Sequence, residues 1–151
     1  MNSYIYTLPL IAAAGVSTWV AIYAFTHRQA SGGAFSLGLL ASATTFWTIS
    51  YALEIASPSL PGKLFWASLE YIAIATIPWF WLIFALNYTN QARRVPHHQI
   101  AALAVLPLVT ILLAFTYRSH GLIWAHTGLI SESGFTALDV VYGPWFWVHS
   151  V

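Results

Sequence analysis

Residues 71–92 read YIAIATIPWFWLIFALNYTNQA and contain no Asp, Glu, Lys, Arg or His. The same is true of three further stretches, at residues 1–26, 29–53 and 99–117. An α-helix rises about 1.5 Å per residue, so about 20 apolar residues cross the roughly 30 Å hydrocarbon core of a bilayer. The four stretches therefore predict four complete transmembrane helices. We place these helices at residues 4–26, 34–56, 64–88 and 99–117.

The composition of the whole chain supports a membrane protein. Of its 151 residues, five are Lys or Arg and four are Asp or Glu, which is 6%, against about 25% in an ordinary soluble domain. The high hydrophobic content excludes disorder, and a net charge of +1 gives no reason to expect nucleic-acid binding. The absence of cysteine excludes thiolate chemistry and disulfides. We expect an all-α polytopic bundle without cofactor, metal or catalytic residues.

The segment after the fourth helix, residues 118–142, is too polar to cross the membrane. Two apolar-rich runs, residues 122–130 and 135–142, flank the four residues Ser131-Glu132-Ser133-Gly134. This pattern predicts a β-hairpin. Residues 143–151 are apolar again, with Pro144 suited to the first turn of a helix, and we interpret them as the start of a fifth transmembrane helix. We therefore expect this chain to be the front part of a longer protein.

The Lys and Arg residues of the loops set the expected orientation. The first and third loops contain Arg28, Arg93 and Arg94, whereas the second and fourth loops contain Lys63 and Arg118. This bias of three to two predicts an extracellular N-terminus and an extracellular hairpin. We expect a multi-pass protein of the plasma membrane of a prokaryote, with the lipid bilayer as its first partner.

Glu54 and Glu70 are the acidic residues within the predicted apolar helices. Ionisable groups at such depth are costly and usually face the bundle interior or a water-filled cavity. With Lys63 and Trp66 they form our predicted ligand-sensing group, open to the outside. The structural alternative is that Lys63 pairs with Glu54 or Glu70 and fixes the turn between helices two and three.

Two prolines inside predicted helices, Pro78 and Pro107, each remove a backbone donor and favour a helix kink. The histidines lie in loops or at helix ends. His120, His126 and His149 could meet Glu132 or Asp139 outside the membrane as a metal or pH sensor. Their irregular spacing matches no ligand motif, so we favour the interpretation without a metal.

Several motifs, in this order, resemble the N-terminal seven-transmembrane sensor region of bacterial and archaeal histidine kinases. They are Tyr51-Ala52-Leu53-Glu54, Lys63-Leu64-Phe65-Trp66, Leu69-Glu70-Tyr71-Ile72, Pro78-Trp79-Phe80-Trp81, His120-Gly121-Leu122-Ile123-Trp124 and Gly143-Pro144-Trp145-Phe146-Trp147-Val148-His149. The resemblance covers nearly the whole chain. It implies that residues 1–151 form the N-terminal part of a seven-transmembrane sensor domain that ends in the fifth helix.

The resemblance also implies a function. A membrane sensor of a two-component system passes a ligand-derived or membrane-derived signal to a cytoplasmic kinase, which this sequence lacks, and the full-length kinase is expected to be a homodimer. The alternative from another class is a fragment of an ion- or proton-coupled transporter that uses Glu54 and Glu70. A transporter favours acidic groups at the midplane and an inverted repeat, and neither is evident here. A membrane scaffold subunit is a third interpretation.

Overall fold

The computed structural model describes residues 4–29, 31–132 and 135–150, with side chains placed at 7–29, 31–130 and 136–150. This part of the chain forms helices joined by short turns, and one two-stranded antiparallel sheet. The helices are α1 (Tyr4–Thr26), α2 (Ala34–Ala56), α3 (Leu60–Tyr88), α4 (His97–Leu103), α5 (Val105–Phe115), α6 (Tyr117–His120) and α7 (Pro144–Ser150). The strands are β1 (Trp124–Glu132) and β2 (Phe135–Tyr142).

The bounds of α1 and α2 coincide with the expected ranges, but α3 begins one turn earlier than residue 64. Ser59 precedes its first turn, and the Ser59 hydroxyl accepts a hydrogen bond from the backbone N–H of Gly62 at 3.3 Å. Serine is a favoured N-cap, and Pro61 lies in the first turn, where its missing N–H leaves no hydrogen bond unmade. The expected start was wrong because the apolar pattern does not mark a capped polar turn.

The expected single helix at 99–117 is divided into α4 and α5, which meet at Ala104. Pro107 has no N–H to donate to the carbonyl of Leu103, so the helical ladder is weakened where the division occurs. The helix ends at Phe115 rather than at residue 117, and the short α6 follows. Gly121 ends α6 with a positive φ of 61°, a conformation that costs glycine little.

Three helical stretches in the described residues are long and apolar enough to cross a membrane. They are Thr7–Thr26, Leu60–Tyr88 and His97–Phe115. α2 is not among them, although its 23 residues have the necessary length. Its sequence AFSLGLLASATTFWTISYALEIA contains six Ser or Thr residues and Glu54, which lower its average hydropathy. The expectation of four complete spans is therefore not confirmed by hydropathy.

α2 nevertheless runs antiparallel to α3 over its whole length. At one end Asn87 Nδ2 donates to Ser36 Oγ at 3.0 Å, so the start of α2 lies beside the end of α3. At the other end Lys63 Nζ donates to the backbone oxygen of Glu54 at 2.9 Å. The bundle thus has two ends, with the α1–α2 and α3–α4 connections together at one of them.

The hairpin lies at the opposite end, beside the turn between α2 and α3. Its register pairs Glu132 with Phe135 and Trp124 with Tyr142, with an irregularity between Trp124 and His126. The expected hairpin is confirmed, although β1 extends to Glu132, and the remaining loop positions 133 and 134 lie outside the described residues. A buried cluster joins the hairpin to α3 and α5: Leu64, Ala67, Tyr71, Ala114, Ile123 and Trp124.

Candidate functional site

Lys63 caps the end of α2. Its side chain is 1% exposed, and its ammonium group donates to the backbone oxygens of Glu54 at 2.9 Å and Ile55 at 3.4 Å. The last carbonyl groups of a helix have no partner within it and carry partial negative charge. A cation from α3 therefore stabilises the end of α2 and holds the turn between the two helices.

The carboxyl groups of Glu54 and Glu70 lie side by side between α2 and α3. They are 8% and 7% exposed, and their side chains interact directly with each other. Two carboxyl groups in contact form a hydrogen bond when one of them carries a proton. The ammonium group of Lys63 interacts electrostatically with Glu54, so the structural alternative, a Lys63 association across the turn, is present for Glu54. The charged neighbour of Glu70 is Glu54.

One oxygen of Glu70 remains without a partner. The indole of Trp47 approaches the Glu70 carboxyl group, but its Oε1 is buried and accepts no hydrogen bond from any of the described residues. A buried acceptor left unsatisfied costs about 1–3 kcal/mol. Such a cost needs an explanation, and a bound molecule that supplies a donor is one.

Glu54, Lys63 and Glu70 face a common cavity of about 330 Å³. This volume lies at the lower end of the range typical of small-molecule sites. α2, α3, the hairpin and α7 all contribute to the wall. The lining residues are Tyr51, Glu54, Ile55, Lys63, Ala67, Glu70, Tyr71, Ile74, Trp124, Ala137, Leu138, Val140, Tyr142 and Phe146.

Aromatic side chains from α3, the hairpin and α7 form part of the cavity wall that the carboxyl groups also line. Tyr71 and Trp124 meet edge to face with ring centroids 5.5 Å apart, and Tyr142 stacks on Phe146 at 3.8 Å. The sequence pointed to the polar members of this site but not to these aromatic ones. Their role depends on the hairpin folding back onto α3, and no local pattern in the sequence reports that contact.

Trp66, the fourth residue of our predicted sensing group, does not line this cavity. Its ring packs edge to face against Phe65 at 5.2 Å. Trp66 is three residues from Lys63 and four from Glu70, so it lies near their face of α3, but its side chain is not part of the cavity lining. The structure thus brings together three of the four predicted residues.

α7 contacts the bundle through Thr110 of α5, whose side chain is fully buried. Trp145 Nε1 donates to Thr110 Oγ1 at 3.0 Å, and His149 Nδ1 lies 3.3 Å from the same hydroxyl group. The His149 ring also interacts with the backbone of Ile74 in α3. That carbonyl is the one that Pro78, lacking an N–H, leaves without its usual helical donor. α3 stays helical through Pro78, so a kink there remains a prediction.

The described residues contain no group of three or more His, Cys, Asp or Glu side chains able to hold a metal ion. His149 contacts Thr110 and the backbone of Ile74, and among the described residues it forms no metal-binding group with the other two histidines of the predicted sensor. His120 instead accepts from the backbone N–H of Leu122 at 3.0 Å and lies 3.0 Å from the hydroxyl group of Thr116. The side chain of Glu132 lies outside the described ones.

A family model described as the N-terminal 7TM region of histidine kinase matches residues 9–151. The match therefore covers nearly the whole chain, including all residues that line the cavity. No curated protein and no solved structure matches the chain.

Proposed function

The chain belongs to the family of N-terminal seven-transmembrane regions of histidine kinases, and from this premise we propose that it is the signal-receiving membrane module of a two-component sensor kinase. Membership in this family supports the interpretation of the chain as a membrane-embedded sensor region, and such regions are not themselves catalytic. The proposal adds that the cavity beside Glu70 receives the signal. The signal is a small molecule or a component of the membrane that binds in this cavity.

The observation that carries this proposal is the composition of the cavity wall. α2, α3, the hairpin and α7 all line it, so one ligand would contact four elements that are separate in sequence. A ligand shifts a conformational equilibrium when it binds one arrangement better than another. A molecule bound here would stabilise one position of α7 relative to α3 and α5.

We propose four complete spans and an N-terminus outside a prokaryotic plasma membrane. The antiparallel course of α2 along α3 supports a membrane crossing by α2, in spite of its hydroxyl groups. The Lys and Arg bias places the α1–α2 and α3–α4 connections in the cytoplasm. Alkaline phosphatase fused after Asn90 should then be inactive and a fusion after Ser131 active. The opposite pattern would contradict the orientation.

We further propose that the full-length protein is a homodimeric kinase. The test is to extend the reading frame beyond the codon for Val151 and to measure autophosphorylation of the encoded protein in proteoliposomes. A dimerisation helix with a phospho-accepting histidine, followed by an ATP-binding domain, is expected. A Tyr142→Leu change in the cavity wall should alter the autophosphorylation rate, whereas Tyr88→Leu at the other end should not. Equal rates for both variants would contradict the assigned site.

The buried pair of Glu54 and Glu70 gives the ion-coupled transporter a specific argument as well, because proton relays use such carboxyl groups. The two functions differ in an observable flux. Reconstituted protein should not dissipate a proton gradient across a vesicle membrane if it is a sensor. A flux that Glu70→Gln abolishes would favour the transporter.

A further inference from the structure

We propose that the cavity binds a small organic ammonium ion, a protonated amine with at least one N–H, with Glu70 as its acceptor and the aromatic wall around its apolar part. This inference rests on the proposed sensor function and names the chemical class of the ligand. It is drawn from the charge balance of the cavity, from an unsatisfied oxygen and from the rings that face it.

The charge balance of the lining favours a cation. Two carboxyl groups, Glu54 and Glu70, line the cavity with one ammonium group, Lys63. The Lys63 group donates to the end of α2 and interacts with Glu54. With both carboxyl groups ionised the lining has one unpaired negative charge, so a monovalent cation beside Glu70 would replace the proton that the two contacting carboxyl groups otherwise share.

The unsatisfied oxygen favours a ligand that donates a hydrogen bond. Glu70 is 7% exposed and lines the cavity, and its Oε1 accepts nothing from the described residues. A charge-assisted N–H···O bond is among the stronger hydrogen bonds in proteins. A protonated amine supplies both the charge and the donor, whereas a quaternary ammonium ion supplies the charge alone.

The aromatic wall favours an organic cation over a metal ion. Tyr71, Trp124, Tyr142 and Phe146 line the cavity, and the negative faces of such rings attract cations that carry alkyl groups. A metal ion instead needs several hard ligands, and the described residues offer no cluster of three or more. The volume of about 330 Å³ limits the ligand to a small molecule or to the headgroup of a lipid.

Isothermal titration of the protein in phosphatidylglycerol nanodiscs with n-butylammonium chloride tests the assignment. We expect saturable binding, no binding of n-butanol or sodium chloride at the same concentrations, and weaker binding of tetramethylammonium chloride. Absence of butylammonium binding would overturn the proposal. Equal binding of butylammonium and tetramethylammonium would overturn the N–H donor, and equal binding of butanol would overturn the cation.

Two variants locate the binding to the cavity. Glu70→Gln keeps the shape but removes the charge, and should weaken butylammonium binding about tenfold or more, the value expected for a lost charge-assisted hydrogen bond. Asp139→Asn is the matched control, because Asp139 lies on β2 outside the cavity lining, and its affinity should equal that of the wild type. Unchanged affinity in Glu70→Gln would overturn the site. Phe146→Leu, which retains both carboxyl groups, should weaken binding severalfold and gives an independent check if Glu70→Gln does not fold.

The natural amine can come from water or from the headgroup of phosphatidylethanolamine. The titration is therefore repeated in phosphatidylethanolamine nanodiscs. A lower apparent affinity there identifies competition by the headgroup, and an unchanged affinity identifies a soluble amine. A missing butylammonium signal in a protein that still autophosphorylates would refute the ligand class but not the sensor function, whereas binding without any kinase output would refute the sensor function alone.

Discussion

α1 and α3 have nearly the same apolar appearance in the sequence, yet the structure gives them different surroundings. α1 packs mainly against α2, and its buried residues among those described are the small Ala21 and Ala24. α3 packs against α2, α5 and β2 and buries Lys63 and Glu70. Hydropathy therefore identifies a membrane helix but not its role. α1 exposes its large side chains toward lipid, whereas α3 contributes Lys63 and Glu70 to the cavity wall.

The largest expected difference between the two regions is the effect of truncating one tryptophan in each. Trp124 is 4% exposed and packs against Tyr71 and Tyr117, whereas Trp19 on α1 is 65% exposed. Trp124→Ala should lower the free energy of unfolding by about 3–5 kcal/mol, the usual cost of a large cavity. Trp19→Ala should change it by no more than about 0.5 kcal/mol. SDS titration in mixed micelles measures both, and equal losses would show that α1 is packed against protein rather than lipid.

A second pair compares glycines. A Cβ atom on Gly143 would collide with the backbone oxygens of Gly121 and Leu122, whereas Gly15 on α1 has open space around it. Gly143→Ala should therefore destabilise the base of the hairpin by about 2–3 kcal/mol, as overpacking does. Gly15→Ala should stabilise α1 by up to about 0.5–1 kcal/mol. Hydrogen exchange should report the loss at Trp124–Ile130, and full protection there in Gly143→Ala would contradict the close contact.

A third pair removes one hydroxyl group from each helix environment. Thr110 Oγ1 accepts from the indole of Trp145, while Thr18 Oγ1 donates to the carbonyl of Ala14 on the exposed face of α1. Thr110→Val leaves the partly buried indole N–H of Trp145 without its acceptor and should cost about 1.5 kcal/mol. Thr18→Val should be neutral within about 0.5 kcal/mol. A similar effect of the two changes would mean that α7 is not held by Thr110.

The sequence alone predicted the helices well where charge-free runs are long, because burial in lipid forces such runs into helices. It also placed Lys63 and Glu70 on one face of α3, because they are seven residues apart, and both line the same cavity. The binding of Lys63 to the end of α2 was missed. A backbone acceptor leaves no signature in the sequence, whereas a carboxylate does.

The aromatic half of the site could not be predicted in this way. Trp124, Tyr142 and Phe146 lie more than 50 residues beyond Glu70 in the sequence, and they reach it because the hairpin folds onto α3. Tryptophan and tyrosine in a membrane protein usually indicate the interface with water. That general preference gives no indication that these residues also line the cavity. Their position there depends on tertiary contacts, which no local periodicity in the sequence encodes.

The smallest expected effect on stability, and the last prediction, concerns Glu70. α1 carries no charged residue, whereas Glu70 of α3 is buried beside Glu54 with one oxygen unsatisfied. If Glu70 served the fold, its replacement would cost about 1–3 kcal/mol, as the loss of a buried polar partner does. We expect instead that Glu70→Gln changes the free energy of unfolding by less than about 1 kcal/mol, since glutamine keeps the shape and its amide can donate to Glu54.

The measurement is SDS titration of the wild type and Glu70→Gln, with Asp139→Asn as the matched control for the loss of one carboxylate. A stable variant that no longer binds butylammonium would mean that Glu70 is retained for the ligand. A loss of several kcal/mol would assign it to the structure, and the contrast between α3 and α1 would then be one of packing alone. Because burial of an unsatisfied oxygen works against stability, the first outcome is the one that the geometry favours.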